Sequence, residues 1–263
     1  MEKDDIPRTI PSKVQARLSV LTRVAAPKLE KATRILGSSS TLDVNLTTAQ
    51  YALTLLAEVV DRVSNKRALA ELVASVTAVA KMLDVDVVVE KELKPSAVAD
   101  RMRKLSGLIS DVRIFNRLWG LLGLFQWGIA TFRAPPKDWV LRLIAYTQVC
   151  SNTLYQPLEN IAYLGSHGIL PVSRSTIGKL WLISSRLWMM HVLLDIVRLG
   201  RERMIDSIKT KEDEERWTRQ AIVDCAYLPM TIHWSRQSGF LSELGVGVCG
   251  SIAGGVRLIP LWM

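Results

Sequence analysis

The feature that most constrains this chain lies between Pro95 and Phe132. Val98, Met102, Leu105, Leu108, Ile109, Val112, Phe115, Leu118, Trp119 and Leu122 recur mostly at steps of three and four, which lines them along one side of an α-helix. Against them stand Arg101, Arg103, Lys104, Arg113 and Arg117, opposed only by Asp100 and Asp111. At Leu118 the apolar stripe runs straight into LWGLLGLFQWGIATF, residues 118–132, which holds no charge at all. That run is short of the roughly 20 apolar residues a spanning helix needs, but it is long enough for a segment lying in or dipping into a membrane interface. A basic amphipathic helix continued by an uncharged block is the pattern of a membrane-surface protein.

The charge balance points the same way. The chain carries 34 Lys and Arg against 25 Asp and Glu, a net +9, which favours an anionic membrane surface or another polyanion as partner. Its mean hydropathy of +0.18 is high for a chain with 22% charged residues, so the two classes must be segregated into stripes and blocks. Three scattered cysteines, Cys150, Cys225 and Cys249, make no disulfide framework and suit a reducing compartment. The acidic opening Glu2-Lys3-Asp4-Asp5 lacks the apolar core of a secretory signal, and Leu261-Trp262-Met263 is no import tail.

The rest of the chain reads as helices. Residues 1–12 form a lead expected to be disordered, and 13–95 an N-terminal helical region with helices over about 13–36, 40–63 and 66–83. Gly37 is placed as a left-handed C-cap, and Ser40 with Asp43 as a capping pair. DVDVVVE, 84–90, is the one strand-like piece and too isolated to build a sheet. Residues 96–134 hold the basic helix and its apolar continuation, and 135–263 a C-terminal helical membrane region. Within the latter, helices are expected over about 139–164 and 177–203. The charged stretch TKEDEER, 210–216, reads as a loop before a helix that ends near Pro229. A terminal apolar block over 244–263 holds only Arg257 as a charge. In it Gly250 and Gly254 stand in the spacing that lets membrane helices approach closely. All eight tryptophans fall between Trp119 and Trp262, mostly at the edges of these apolar blocks, as an aromatic belt would be. The expected fold class is all-α, a membrane-associated protein of amphipathic and hydrophobic helices.

Tests for catalysis come back empty. Gly245-Val-Gly-Val-Cys-Gly250 is a literal GxGxxG, yet a dinucleotide site needs an acidic residue some 20 positions on, and no acid follows Gly250. Gly178-Lys179 ends like a phosphate-binding loop, but Ser173 stands where the first glycine belongs. His167, His191 and His233 show no metal-ligand spacing, and Asn45-Leu46-Thr47 matters as a sequon only in a secreted chain. No catalytic residue, metal or cofactor is expected. Without a recognition motif and with its charge spread along the chain, nucleic acid is not an expected partner either.

Val112-Arg113-Ile114-Phe115-Asn116-Arg117-Leu118 resembles the amphipathic Arg/Phe/Leu segment of the peroxisomal biogenesis factor 11 family (peroxin-11). Tyr155-Gln-Pro-Leu-Glu159-Asn160-Ile-Ala-Tyr-Leu164, followed by Gly168-Ile-Leu170, is similar to that family's aromatic–acidic–Asn–apolar segment, and Gly245 to Leu261 to its C-terminal hydrophobic segment. The chain is identified on this ordered set as a divergent, fungal-like member. The resemblance implies a helical protein of the peroxisomal membrane, with its termini toward the cytosol, that elongates the membrane, associates with itself and recruits fission machinery. It casts Leu105, Leu108, Val112, Phe115, Leu118 and Trp119 as the membrane-inserting wedge, and Arg101, Arg103, Lys104, Arg113 and Arg117 as holders of anionic phospholipid head groups. Gly250 and Gly254 are expected helix-packing contacts from spacing alone. Two alternatives remain open: a metabolite pore built on the 177–200 helix, where Arg186, His191 and Asp195 interrupt an apolar face, and a soluble helical scaffold.

Overall fold

The computed structural model describes residues 12–62, 95–205 and 208–263, and every regular element among them is helical, as the periodicity requires. The elements are α1 (Ser12–Gly37), α2 (Ser39–Arg62), α3 (Pro95–Asn116), a 3₁₀ turn (Arg117–Trp119), α4 (Gly120–Arg133), α5 (Trp139–Ser166), α6 (Arg174–Met204), α7 (Lys211–Trp234) and α8 (Glu243–Trp262). The lead up to residue 11, the expected helix over 66–83 and the strand-like 84–90 lie outside the described residues. The chain forms two compact units that divide between Asp43 and Val44.

In the first unit, two capping expectations fail. Gly37 is the last residue of α1 itself, and Gly168 is the one described glycine with positive φ. Ser40 lies inside α2 and caps nothing. Ser38 takes that place instead: its carbonyl accepts from Leu42 N at 2.8 Å and from the Thr41 hydroxyl at 3.2 Å.

In the second unit, α2, α3, α5, α6, α7 and α8 touch in a closed circuit of antiparallel neighbours. Polar side chains make most of the joints. Glu58 and Gln50 of α2 meet Arg103 and Arg113 of α3. Arg117, just after α3, meets Glu159 of α5, and Gln148 of α5 meets Asp195 of α6. Asp195 in turn accepts from Gln220 of α7 at 3.2 Å. Val223 and Ala226 of α7 pack with Ala253 of α8 in a small apolar cluster. The circuit closes where α8 meets α2 through glycine. A Cβ on Gly247 would lie 2.9 Å from Leu55 Cα, one on Gly254 2.9 Å from Thr48 Cα, and one on Gly250 inside the Tyr51 ring. Small residues are what allow two helix backbones to approach so closely.

The distribution of polarity is inverted relative to a water-soluble bundle. Gln148, Gln156, Glu159, Asp195 and Asp224 are buried, while many large Leu, Ile, Val, Phe and Trp side chains are exposed. Among the described residues, two helices, α6 and α8, are long and apolar enough to cross a membrane.

One stretch read as a loop is helix. Thr210 caps α7 in a reciprocal box with Asp213 (Asp213 N to Thr210 Oγ1, 3.1 Å; Thr210 N to Asp213 Oδ2, 3.2 Å). The carboxylates of Glu212, Asp213 and Glu214 face the positive end of the helix dipole. Charge density suggested a loop, whereas its sign and position make a strong helix start. Nor does α7 end at Pro229. It continues to Trp234, because Met230 and Thr231 are fully buried and Trp234 stacks on Trp188 with centroids 5.7 Å apart. That packing outweighs the one backbone bond proline removes.

Two measurements check this account. Gly247→Leu should overpack the α2–α8 joint and lower stability by about 1–3 kcal/mol. Gly255→Leu, with nothing within 4 Å of its Cβ position, should leave thermal unfolding in detergent nearly unchanged. At the α5 start, Arg201 donates to both oxygens of Asp138 (2.7 and 3.2 Å) while Leu141 N donates to one at 3.0 Å, holding the carboxyl down at about 2. A depressed folded pKa stabilises the fold above the unfolded value near 3.8 and loses that stabilisation as pH falls toward 2. Asp138→Asn should therefore lower the unfolding temperature at neutral pH, and the difference from wild type should vanish as pH approaches 2.

Candidate functional site

Residues Pro95 to Arg133 form one helical rod. The 3₁₀ turn joins α3 to α4 without leaving the right-handed helical region: Asn116 has φ −61 and ψ −27, Trp119 φ −88 and ψ −1, Gly120 φ −59 and ψ −28. The apolar stripe therefore continues across the junction. Leu105, Leu108, Val112, Phe115, Trp119, Leu122, Phe125, Ile129 and Phe132 are all exposed, Leu108 at 60% and Trp119 at 69%. Of the six residues expected to insert, only Leu118 is half-buried.

The opposite side of the rod faces protein. Arg103 donates to Glu58 at 2.8 Å and also pairs with Asp61. Ser106, 6% exposed, donates to the Gln50 carbonyl at 3.0 Å and meets the Thr54 hydroxyl at 2.9 Å. Arg113 donates to Gln50 Oε1 at 2.6 Å, and Asp111 accepts from the Tyr163 hydroxyl at 3.1 Å. Three of the five cations expected at head groups, Arg103, Arg113 and Arg117, are thus turned toward α2 and α5, whereas Arg101 and Lys104 lie exposed.

The junction is held by a clamp from α5. Arg117 Nε and Nη2 each donate to Glu159 at 2.9 Å in a bidentate pair. The Tyr155 hydroxyl donates to the same carboxylate at 2.6 Å, and burial pushes that phenol well above its ordinary pKa. Gln156 Nε2 donates to the Arg117 carbonyl at 2.9 Å and Asn160 Nδ2 to the Leu118 carbonyl at 3.2 Å, supplying partners where the helix changes its hydrogen-bond pattern. Gly120 is needed beside them, since a Cβ there would lie 2.8 Å from Gln156 Oε1. The sequence singled out both segments without showing that they meet. An acid and two amides at 156, 159 and 160 were the available signal, for they stand about one turn apart on one face of the helix.

Gly250 and Gly254 sit against Tyr51 and Thr48 of the same chain. The residues suspected of lining a path are bound to neighbours. Arg186 Nε donates to the Ser235 carbonyl at 3.2 Å, His191 Nδ1 lies 2.8 Å from Asn152 Nδ2, and Asp195 pairs with Arg198 at 2.7 Å. Among the described residues no group of His, Cys, Asp and Glu is arranged to hold a metal ion.

Comparison with known proteins bears on both clamped segments. The family model described as peroxisomal biogenesis factor 11 matches residues 78–226, more than half of the chain, including the whole rod and the α5 clamp. The chain belongs to the peroxisomal biogenesis factor 11 family. A similar chain is an uncharacterized protein of Schizosaccharomyces pombe, 33% identical over 150 residues that cover 56% of this chain and 69% of that one. No solved structure matches. Membership makes this a peroxisomal protein of a family that acts in peroxisome proliferation and division.

The clamp makes a direct prediction. Glu159→Ala leaves Arg117 and the Tyr155 hydroxyl without their partner, which should cost about 2–3 kcal/mol, discounted below the usual cost of breaking a buried pair because Arg117 is partly exposed. In a double-mutant cycle with Arg117→Ala, chemical unfolding should show the two losses overlapping rather than adding.

Proposed function

We propose that this protein remodels the peroxisomal membrane by laying the apolar side of the 95–133 rod into one leaflet. The observation that supports the reading is the rod's inverted orientation, with polar side chains bonded to α2 and α5 and nine large apolar side chains directed outward. In water such a contiguous surface is a liability, and in a lipid leaflet it is a driving force. Even at a third of full burial, nine such side chains contribute on the order of 5 kcal/mol or more. Arg101 and Lys104, exposed on the rod, would meet anionic head groups at about 1 kcal/mol each. The clamp fixes the rod to the body, so inserted volume stays in one leaflet and expands that leaflet alone.

In this reading residues 135–263 form the membrane region, with α6 and α8 as the apolar helices that anchor it. Self-association and recruitment of fission machinery belong to the same activity, with Gly250 and Gly254 committed to packing within the chain. A conducting path through Arg186, His191 and Asp195 has less support, because all three are engaged in bonds to neighbouring groups.

The test uses full-length protein reconstituted into vesicles of neutral and anionic phospholipid. Wild type should draw tubules, and Leu108→Glu with Phe115→Glu should abolish them while leaving the helical circular dichroism intact, since both side chains are exposed. Tubulation equal to wild type in that variant would sink the wedge mechanism. In cells the same variant should reach peroxisomes without lengthening them.

A further inference from the structure

Inside the helix circuit lies a crevice of ≈ 970 Å³ to which all six helices contribute. Its lining is electrostatically lopsided. Arg113, Arg117, Arg174, Lys179, Arg236 and Arg257 border it, against the single carboxylate of Glu159, which is already paired with Arg117. Arg174, Lys179, Arg236 and Arg257 have no acidic partner within 4 Å among the described residues. Gathering like charges around one hollow raises the energy of the folded state unless something anionic is drawn in.

The same crevice is also lined by aromatic side chains. Trp188 stacks on Trp234 at 5.7 Å and meets Tyr227 edge-on at 5.6 Å, and Trp181 lines the same hollow. A bare inorganic ion would leave most of that surface and volume unused, for the crevice is at the upper end of what small-molecule sites occupy. Cations and indoles lining one hollow suit a molecule that is anionic at one end and apolar at the other.

We propose that this crevice binds an organic anion whose phosphate or carboxylate is carried on an apolar body. The anionic end sits among Arg174, Lys179, Arg236 and Arg257, and the body lies against Trp188 and Trp234. Such a molecule has two sources, a phospholipid of the surrounding bilayer or a water-soluble metabolite, and the chemistry of recognition is common to both. The site is separate from the wedge, whose apolar side chains point away from it.

The experiment titrates full-length protein, in micelles of a neutral detergent, with phenyl phosphate and with dihexanoylphosphatidic acid below its micelle concentration, following tryptophan fluorescence. Inorganic phosphate and benzyl alcohol serve as controls for charge without body and body without charge. At least one of the two amphipathic anions should bind saturably, and both controls should bind about tenfold or more weakly. Lys179→Glu with Arg257→Glu should weaken the anion about tenfold or more, whereas Lys179→Arg with Arg257→Lys should hold it within about twofold. Binding of phenyl phosphate alone would identify a soluble ligand, of the phosphatidic acid alone a bilayer lipid, and either supports the site. Benzyl alcohol binding as tightly as phenyl phosphate, charge reversal without effect in a variant of unchanged helicity, or no saturable anion would overturn it.

Discussion

The bidentate pair between Arg117 and Glu159 is the constraint on which the rest of the second unit depends. Glu159 is 4% exposed, and a carboxylate at that depth is tolerable only if its charge is met and its lone pairs are filled. Arg117 meets the charge with two bonds and Tyr155 fills a further position. Because Arg117 stands in the turn where α3 passes into α4, the same pair fixes the rotation of a 39-residue rod about its own axis. Rotation decides which side of an amphipathic helix faces outward. With Gln156 and Asn160 holding adjacent carbonyls, the rod cannot turn its leucines inward without stripping α5 of three partners.

Fixing the rod with polar bonds rather than apolar burial has a consequence for the whole molecule. A bundle joined by Gln148, Asp195, Gln220 and Arg198 on one side, and by Glu58, Arg103 and Gln50 on the other, leaves many of its large apolar side chains exposed. Those side chains collect on the outer surface, which in a hydrocarbon environment is where they are stable. Water would compete for each of these interior bonds, and lipid cannot. The interior polarity and the exterior apolarity are therefore two aspects of one solvent choice, and the glycine contact between α2 and α8 belongs to it as well. Close backbone packing is a source of helix association that does not require an oily core.

Much of this was legible in the sequence. Period alone located the stripe from Leu105 to Leu122, the uncharged continuation and the helices that follow, because periodicity reports a local property of the chain. Gly250 and Gly254 stood out by spacing, although spacing could not name α2 as the helix they face. What escaped was where the arginines face: with the leucines read outward, Arg103, Arg113 and Arg117 were placed at head groups, whereas they bond to α2 and α5. A basic face opposite an apolar face is equally consistent with arginines in water and leucines in a core, or arginines in the protein and leucines in lipid. That Glu159 lies 42 residues on and comes back to Arg117 supports the second, and it is a tertiary fact with no periodic signature. The start of α7 was missed for a different reason: Glu212, Asp213 and Glu214 were weighed as solvated charge, when their place after Thr210 made them a cap. Ser40 failed conversely, a capping residue type two residues past Ser38, in a helix already begun at Ser39.

Arg113 and Arg117 connect the two surfaces on which function is argued. Each projects from the inner side of the rod toward the crevice, and each is bonded there to a group of the circuit, Gln50 or Glu159. An anion seated among the remaining cations strengthens the field that holds both guanidiniums inward, provided it does not displace Glu159. An anion that competes for Arg117 acts in the opposite sense, since every bond it takes from Glu159 loosens the rotation of the rod. By reciprocity, any force on the rod from a membrane leaflet that favours its outward set must change the affinity of the crevice by the same free energy. Under the two proposals, occupancy of the crevice and insertion of the rod would be thermodynamically linked through two side chains, with a sign that depends on whether Glu159 keeps its arginine.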